Sequence, residues 1–120
     1  MLTVKFEENR LTVITPITKE MSEKAFGGMV LRDEKTEDLL CMVALSKDGE
    51  AAISRNALYC NTIVDGKLAV SMLMPLGTTV DEMKKMYGEK IVNLNKHIDK
   101  LANQVKADAD AVDAIFADAK

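Results

Sequence analysis

In 120 residues this chain has no Trp, one His, two Cys, two Pro, two Tyr and three Phe, and each shortage removes a class of chemistry. A lone histidine, His97, cannot build the multi-histidine zinc sites of metallohydrolases. Cys41 and Cys60 sit in apolar runs without a C-x-x-C spacing. That argues against a zinc ribbon or a disulfide scaffold and for two buried, reduced thiols. Walker, G-x-G-x-x-G, G-x-S-x-G and H-E-x-x-H motifs are all missing, so no phosphate loop, nucleophile elbow or zincin helix is expected. No apolar run is long enough to span a bilayer, and Met1 is not followed by a charged start and an apolar signal core. A cytoplasmic location is therefore the expectation, with no membrane partner. The net charge is -3 without a large basic block, which argues against nucleic acid as the main partner.

What the chain does contain is ordinary for a globular fold: 48% apolar and 29% charged residues, with eight Met. One domain is expected at this length. Met fills irregular gaps, so most of the eight belong in the core. The alternative is that Met72, Met74, Met83 and Met86 line an adaptable contact surface.

The strongest pattern is at the C-terminal side. Met83, Tyr87, Ile91, Leu94, Ile98, Leu101, Val105, Ala109, Val112 and Phe116 recur three or four residues apart, the face of an amphipathic helix spanning 78–120. Thr78 with Asp81, or Thr79 with Glu82, supplies its N-terminal cap. The mean step of about 3.7 residues fits a straight helix better than a left-handed zipper. A helix of 40 residues extends about 60 Å, whereas a compact domain of this size has a radius of gyration of about 14 Å. The helix is thus expected to pack on its own sheet and on a partner subunit. Ile91, Leu94, Ile98, Leu101, Val105, Val112 and Phe116 would form the oligomer interface.

Residues 1–77 read mainly as an antiparallel sheet. Leu2, Val4 and Phe6 alternate with polar residues, as do Leu11 and Val13 beyond a turn at Glu8-Asn9-Arg10, which predicts a hairpin. Thr15-Pro16 has the form of an N-cap followed by Pro at the first helical position, so a short helix is expected over about 16–26, closed by Gly27-Gly28. That pair follows a helical pattern instead of preceding one, as a helix stop does and a phosphate loop does not. Strands follow from Met29 to Arg32 and over the continuously apolar Leu39–Leu45, the latter expected in the middle of the sheet. Charged Asp33–Glu37 and Lys47-Asp48-Gly49 are turns. The stretch 50–60 admits either a strand or a short helix. Asp65-Gly66 calls for a two-residue hairpin with positive φ at both positions, placing Ile63 opposite Leu68, Asn61 opposite Val70 and Tyr59 opposite Met72. The fold class is α+β: a small antiparallel β-sheet with one short N-terminal helix and one long C-terminal amphipathic helix.

No catalytic constellation emerges, and no cofactor or metal is called for. Asp33-Glu34 with Glu37-Asp38 lacks the glycine and ligand ladder of a calcium loop and reads as a solvated turn. Glu23 and Asp38 would need to meet in a pocket to serve an enzyme. The one group of residues suited to a small ligand is Arg32, Arg55, Tyr59 and Asn61: arginine forks bind phosphate or carboxylate, Tyr can stack on a base and Asn can read its edge. The plainer reading pairs the arginines with local acids and uses Asn61 to satisfy backbone groups.

The leading expectation is a non-enzymatic, homo-oligomeric binding protein whose partners are itself and another protein. In its size and its lack of catalytic residues it resembles small phage or mobile-element accessory proteins. The alternative is a binder of a nucleotide-like small-molecule anion, held between subunits by Arg32, Arg55, Tyr59 and Asn61.

Overall fold

The computed structural model describes residues 1–24, 29–32, 39–45, 52–54 and 57–118, and for 29–32, 39–44 and 117–118 it describes the backbone only. Strands β1 (Thr3–Glu7) and β2 (Arg10–Thr18) lead into helix α1 (Lys19–Lys24). Strands β3 (Met29–Arg32), β4 (Leu39–Leu45), β5 (Ala52–Ile53), β6 (Leu58–Cys60), β7 (Thr62–Val64) and β8 (Lys67–Leu73) precede helix α2 (Val80–Asp118). They form two four-stranded sheets, β1-β2-β8-β7 and β3-β4-β6-β5. The expected α+β architecture, a largely antiparallel sheet structure with one short and one long helix, is what the chain adopts. The second sheet holds a parallel pair, β4 with β6, which the expected run of hairpins did not include.

Two turns organise the first sheet. Asp65 and Gly66 have φ of 51° and 78°, the positive pair that matches a two-residue turn to the twist of its strands. Ile63 faces Leu68 in the β7–β8 pairing, as expected. Asn9, at φ 49°, closes the β1–β2 turn, in which Glu7 faces Arg10. Tyr59 does not continue the hairpin to Met72. The chain changes sheets at Asn61, and Tyr59 instead faces Ala44 and Ala52 in the second sheet.

The largest departure is at Thr15-Pro16. The short helix does not begin there; β2 runs on to Thr18, and α1 starts at Lys19. Proline cannot donate to a ladder, which confines it to edges and bulges. Here the β2–β8 register slips between Ile14 and Thr18, leaving Pro16 inside the irregularity. The Thr15 hydroxyl donates to the Leu68 carbonyl at 2.8 Å and accepts from the Ile17 N–H at 3.2 Å, replacing regular ladder bonds. Thr18 is the cap: its Oγ1 accepts from the Met21 N–H at 3.1 Å. The expected stop at Gly27-Gly28 and the turns at 33–37 and 47–49 lie outside the described residues.

Of the described residues in 50–60, Ala52–Ile53 and Leu58–Cys60 are strand and none is helical. The two-residue β5 pairs with β6, and β4 is an interior strand of its sheet, as its apolar run suggested.

Helix α2 begins where its cap predicts. Thr79 Oγ1 accepts from the Glu82 N–H at 3.2 Å and lies 3.3 Å from the Glu82 carboxylate; Thr78 instead closes the preceding turn through Pro75. Thr79→Ala is expected to cost about 1 kcal/mol of stability by chemical denaturation, the usual loss for an N-cap threonine. At 39 residues and 1.5 Å per residue, α2 is about 58 Å long, matching the 57 Å long axis of the molecule.

The first strand lies along α2 in the opposite sense. The Leu2 N–H donates to Asn95 Oδ1 at 2.9 Å, while the Lys84 ammonium sits 5.7 Å from the centre of the Phe6 ring. Leu11, Val13, Leu68 and Val70 from the sheet meet Met83, Leu94, Ile98, Leu101 and Val105 from the helix in one buried cluster that also takes in Leu58 and Cys60 of the second sheet. Met74 and Met83 are core residues and Met72 is half-buried, so of the four methionines weighed as a contact surface only Met86 is exposed.

Candidate functional site

The helix residues expected at an oligomer interface divide at about Ala109. Leu94, Ile98 and Leu101 are fully buried and Val105 is 2% exposed, all within the chain's own core, with Ile91 packed at its margin. Beyond Ala109 the covering stops. Val112 is half-buried, and Ile115 and Phe116 are each 68% exposed. Phe116 follows Ile98 by about five helical turns, so it continues the buried stripe past the end of the body.

Helix α1 borders this overhang. Glu20, Glu23 and Lys24 from α1 and Val112, Asp113 and Phe116 from α2 line an open groove of about 380 Å³. Lys24 ties the two helices together, with Nζ 3.1 Å from Asp113 and 3.4 Å from Glu20. The hydrogen bond to Asp113, then that to Glu20, raises the lysine pKa above its ordinary 10.5. A cation with a raised folded pKa contributes its stability below the unfolded pKa and loses it as pH rises through the folded one. The link therefore holds throughout the neutral range. It is solvent-exposed and acts as a positioning contact more than as a source of stability. Glu23 lies 3.6 Å from Lys19 in an exposed pair on the helix surface.

The ligand group of Arg32, Arg55, Tyr59 and Asn61 is only partly placed. Arg55 lies outside the described residues, and Arg32 is described by its backbone, opposite Leu39. Tyr59 is 37% exposed on a strand whose neighbours Leu58 and Cys60 are buried. Asn61 has a defined task. Its Nδ2 donates to the Ser71 carbonyl at 2.9 Å and its Oδ1 accepts from the Ser71 N–H at 2.8 Å, while its own N–H donates to Ala69. The side-chain amide pairs the backbone of β8 just beyond the last residue that β7 covers, so its polar atoms serve the fold.

His97 is half-buried on α2, and the Cys60 thiol is buried; the side chain of Cys41 and the acids at 33–38 lie outside the described residues. Among the described residues no three His, Cys, Asp or Glu side chains gather as metal ligands would, and no helix is long and apolar enough to cross a membrane. The exposed distal stripe was legible in the sequence as an apolar face running on to Phe116. The role of α1 beside it was not, because the Lys24–Asp113 contact joins residues far apart in the chain. Comparison with known proteins gives no match to a protein-family model, a curated protein or a solved structure.

Proposed function

We propose that this chain is a non-enzymatic interaction protein that assembles with itself and, once assembled, engages a protein partner. The observation that carries the reading is Phe116, which is on the stripe that buries Leu94, Ile98 and Leu101 yet is itself 68% exposed. Full burial of such a side chain is worth about 1.5–3 kcal/mol, a gain the chain forgoes alone and recovers in an assembly. The acidic end points the same way. Helix α2 has no basic residue in its last turn, where unsatisfied carbonyls favour a nearby cation, so an isolated end frays.

Light scattering at micromolar concentration is expected to give a mass of at least twice 13.2 kDa. Phe116→Ala should raise the dissociation constant about tenfold or more, as for an interface aromatic, while leaving the helix content intact. Its melting temperature should then depend less steeply on protein concentration than that of the parent. A clean monomer across the range, or an assembly indifferent to Phe116→Ala, sinks the reading.

A further inference from the structure

The first sheet ends on the five-residue β1 at one edge and on the three-residue β7 at the other. Glu7 and Arg10 flank a two-residue turn and form the closing hydrogen-bonded pair of the β1–β2 hairpin. By alternation, Thr3, Lys5 and Glu7 turn their backbone groups toward β2, while Val4 and Phe6 turn theirs outward. Leu2 has the same outward parity, and its N–H is taken by Asn95. No described residue bonds the outward N–H and C=O groups of Val4 and Phe6. The side chains of Lys5 and Glu7 share the opposite face of the strand from Phe6. Both are exposed, and neither holds an ion pair with a described residue. Phe6 is half-buried at the margin of the core.

We infer that β1 pairs with β1 of a second copy, antiparallel about a two-fold axis through Phe6, joining the two β1-β2-β8-β7 sheets into one. Each Phe6 then donates to and accepts from the Phe6 of the other copy, and the rings meet across the strands. Lys5 of each copy stands opposite Glu7 of the other, in the pairing without hydrogen bonds that brings side chains closest. A lysine on an edge strand blocks pairing unless the incoming strand answers it, and Glu7 answers it here. Charge selects this register. A two-fold axis through Lys5 would set Lys5 on Lys5, and like charges directly opposite are destabilising. An axis through Val4 would need the Leu2 N–H, which Asn95 holds, and would leave Lys5 opposite Thr3. The contact does not depend on Phe116. Phe6 lies beside Lys84, and Phe116 is about 48 Å farther along α2 at 1.5 Å per residue.

Sedimentation equilibrium at low salt, where charge contacts are least screened, tests the pairing in a Phe116→Ala background. That chain is expected to remain a dimer of twice 13.2 kDa. Lys5→Glu or Glu7→Lys, added alone, sets like charges opposite in both halves of the contact and should raise the dissociation constant about tenfold or more. Added together they again set opposite charges face to face, and the affinity of the Phe116→Ala dimer should return. Glu7→Lys also places a lysine opposite Arg10 within the hairpin. The combined variant keeps that defect, so its recovery separates pairing from folding, and circular dichroism confirms that each variant is folded. A Phe116→Ala monomer, where the parent assembles, overturns the β1 pairing and leaves the reading above standing. A dimer that neither single charge change weakens, or that the combined change does not restore, also overturns it. Assembly that Phe116→Ala leaves unaltered but both single charge changes weaken supports the β1 pairing and sinks only the reading above. A parental monomer overturns both.

Discussion

Leu101→Ala is expected to lower the free energy of unfolding by about 2–5 kcal/mol, the cost of removing a fully buried leucine and leaving part of its volume empty. Leu101 is fully buried in the cluster that joins α2 to both sheets. Its neighbours Leu94, Ile98 and Val105 come from the same helix face, which cannot collapse into the gap without bending. The measurement is urea denaturation at two protein concentrations a hundredfold apart. Because Leu101 is packed within its own chain, the loss should be the same at both concentrations, in contrast to that from Phe116→Ala. Asn103→Ala, on the exposed face, should stay within about 0.5 kcal/mol of the parent. A loss that shrinks on dilution, as the parent itself dissociates, would return Leu101 to the subunit interface, where the sequence pattern alone had placed it.

Asn61→Leu should cost about 2–4 kcal/mol. The amide answers both a donor and an acceptor of the Ser71 backbone, and each polar group left without a partner costs about 1–3 kcal/mol when shielded from water. The face of Ser71 toward β2 cannot take them, since there Ser71 stands opposite Thr12 in the regular ladder. Asn61→Asp separates the two bonds: a carboxylate still accepts from the Ser71 N–H but sets lone pairs against the Ser71 carbonyl. It should therefore be destabilising at pH 7 and less so as the pH falls through the ordinary Asp range near 4, where the protonated acid can donate. If Asn61 instead serves a nucleotide-like ligand, both replacements would leave thermal stability unchanged and abolish only a ligand-induced rise in melting temperature.

Several elements were legible because a short-range cause suffices for them. Asp65-Gly66 needs no tertiary partner to prefer positive φ, and it set the Ile63–Leu68 register. Thr79 and Glu82 cap α2 within one turn. The alternation of Leu2, Val4 and Phe6 shows which side of β1 meets a core. The long stripe of α2 was equally plain, and the arithmetic of helix length against domain size correctly implied that part of it would be uncovered.

Where two conformations satisfied the same local pattern, packing chose. Thr15-Pro16 suits a helix start as well as a strand bulge, and the choice fell to β8, whose Leu68 carbonyl takes the Thr15 hydroxyl. The alternation through 58–64 suits one long strand, yet Asn61 turns the chain into a second sheet by lending its side chain to Ser71. The assignment of Leu94, Ile98, Leu101 and Val105 to self or partner could not come from periodicity, which records that a face is apolar but not whose atoms cover it. The sequence determined the Asp65-Gly66 turn, the cap of α2 and the apolar faces, since these depend on residues a few positions apart. Tertiary structure decided the sheet partners, the two-sheet division and the point near Ala109 where the helix outruns its own core, since these depend on contacts between residues far apart in the chain.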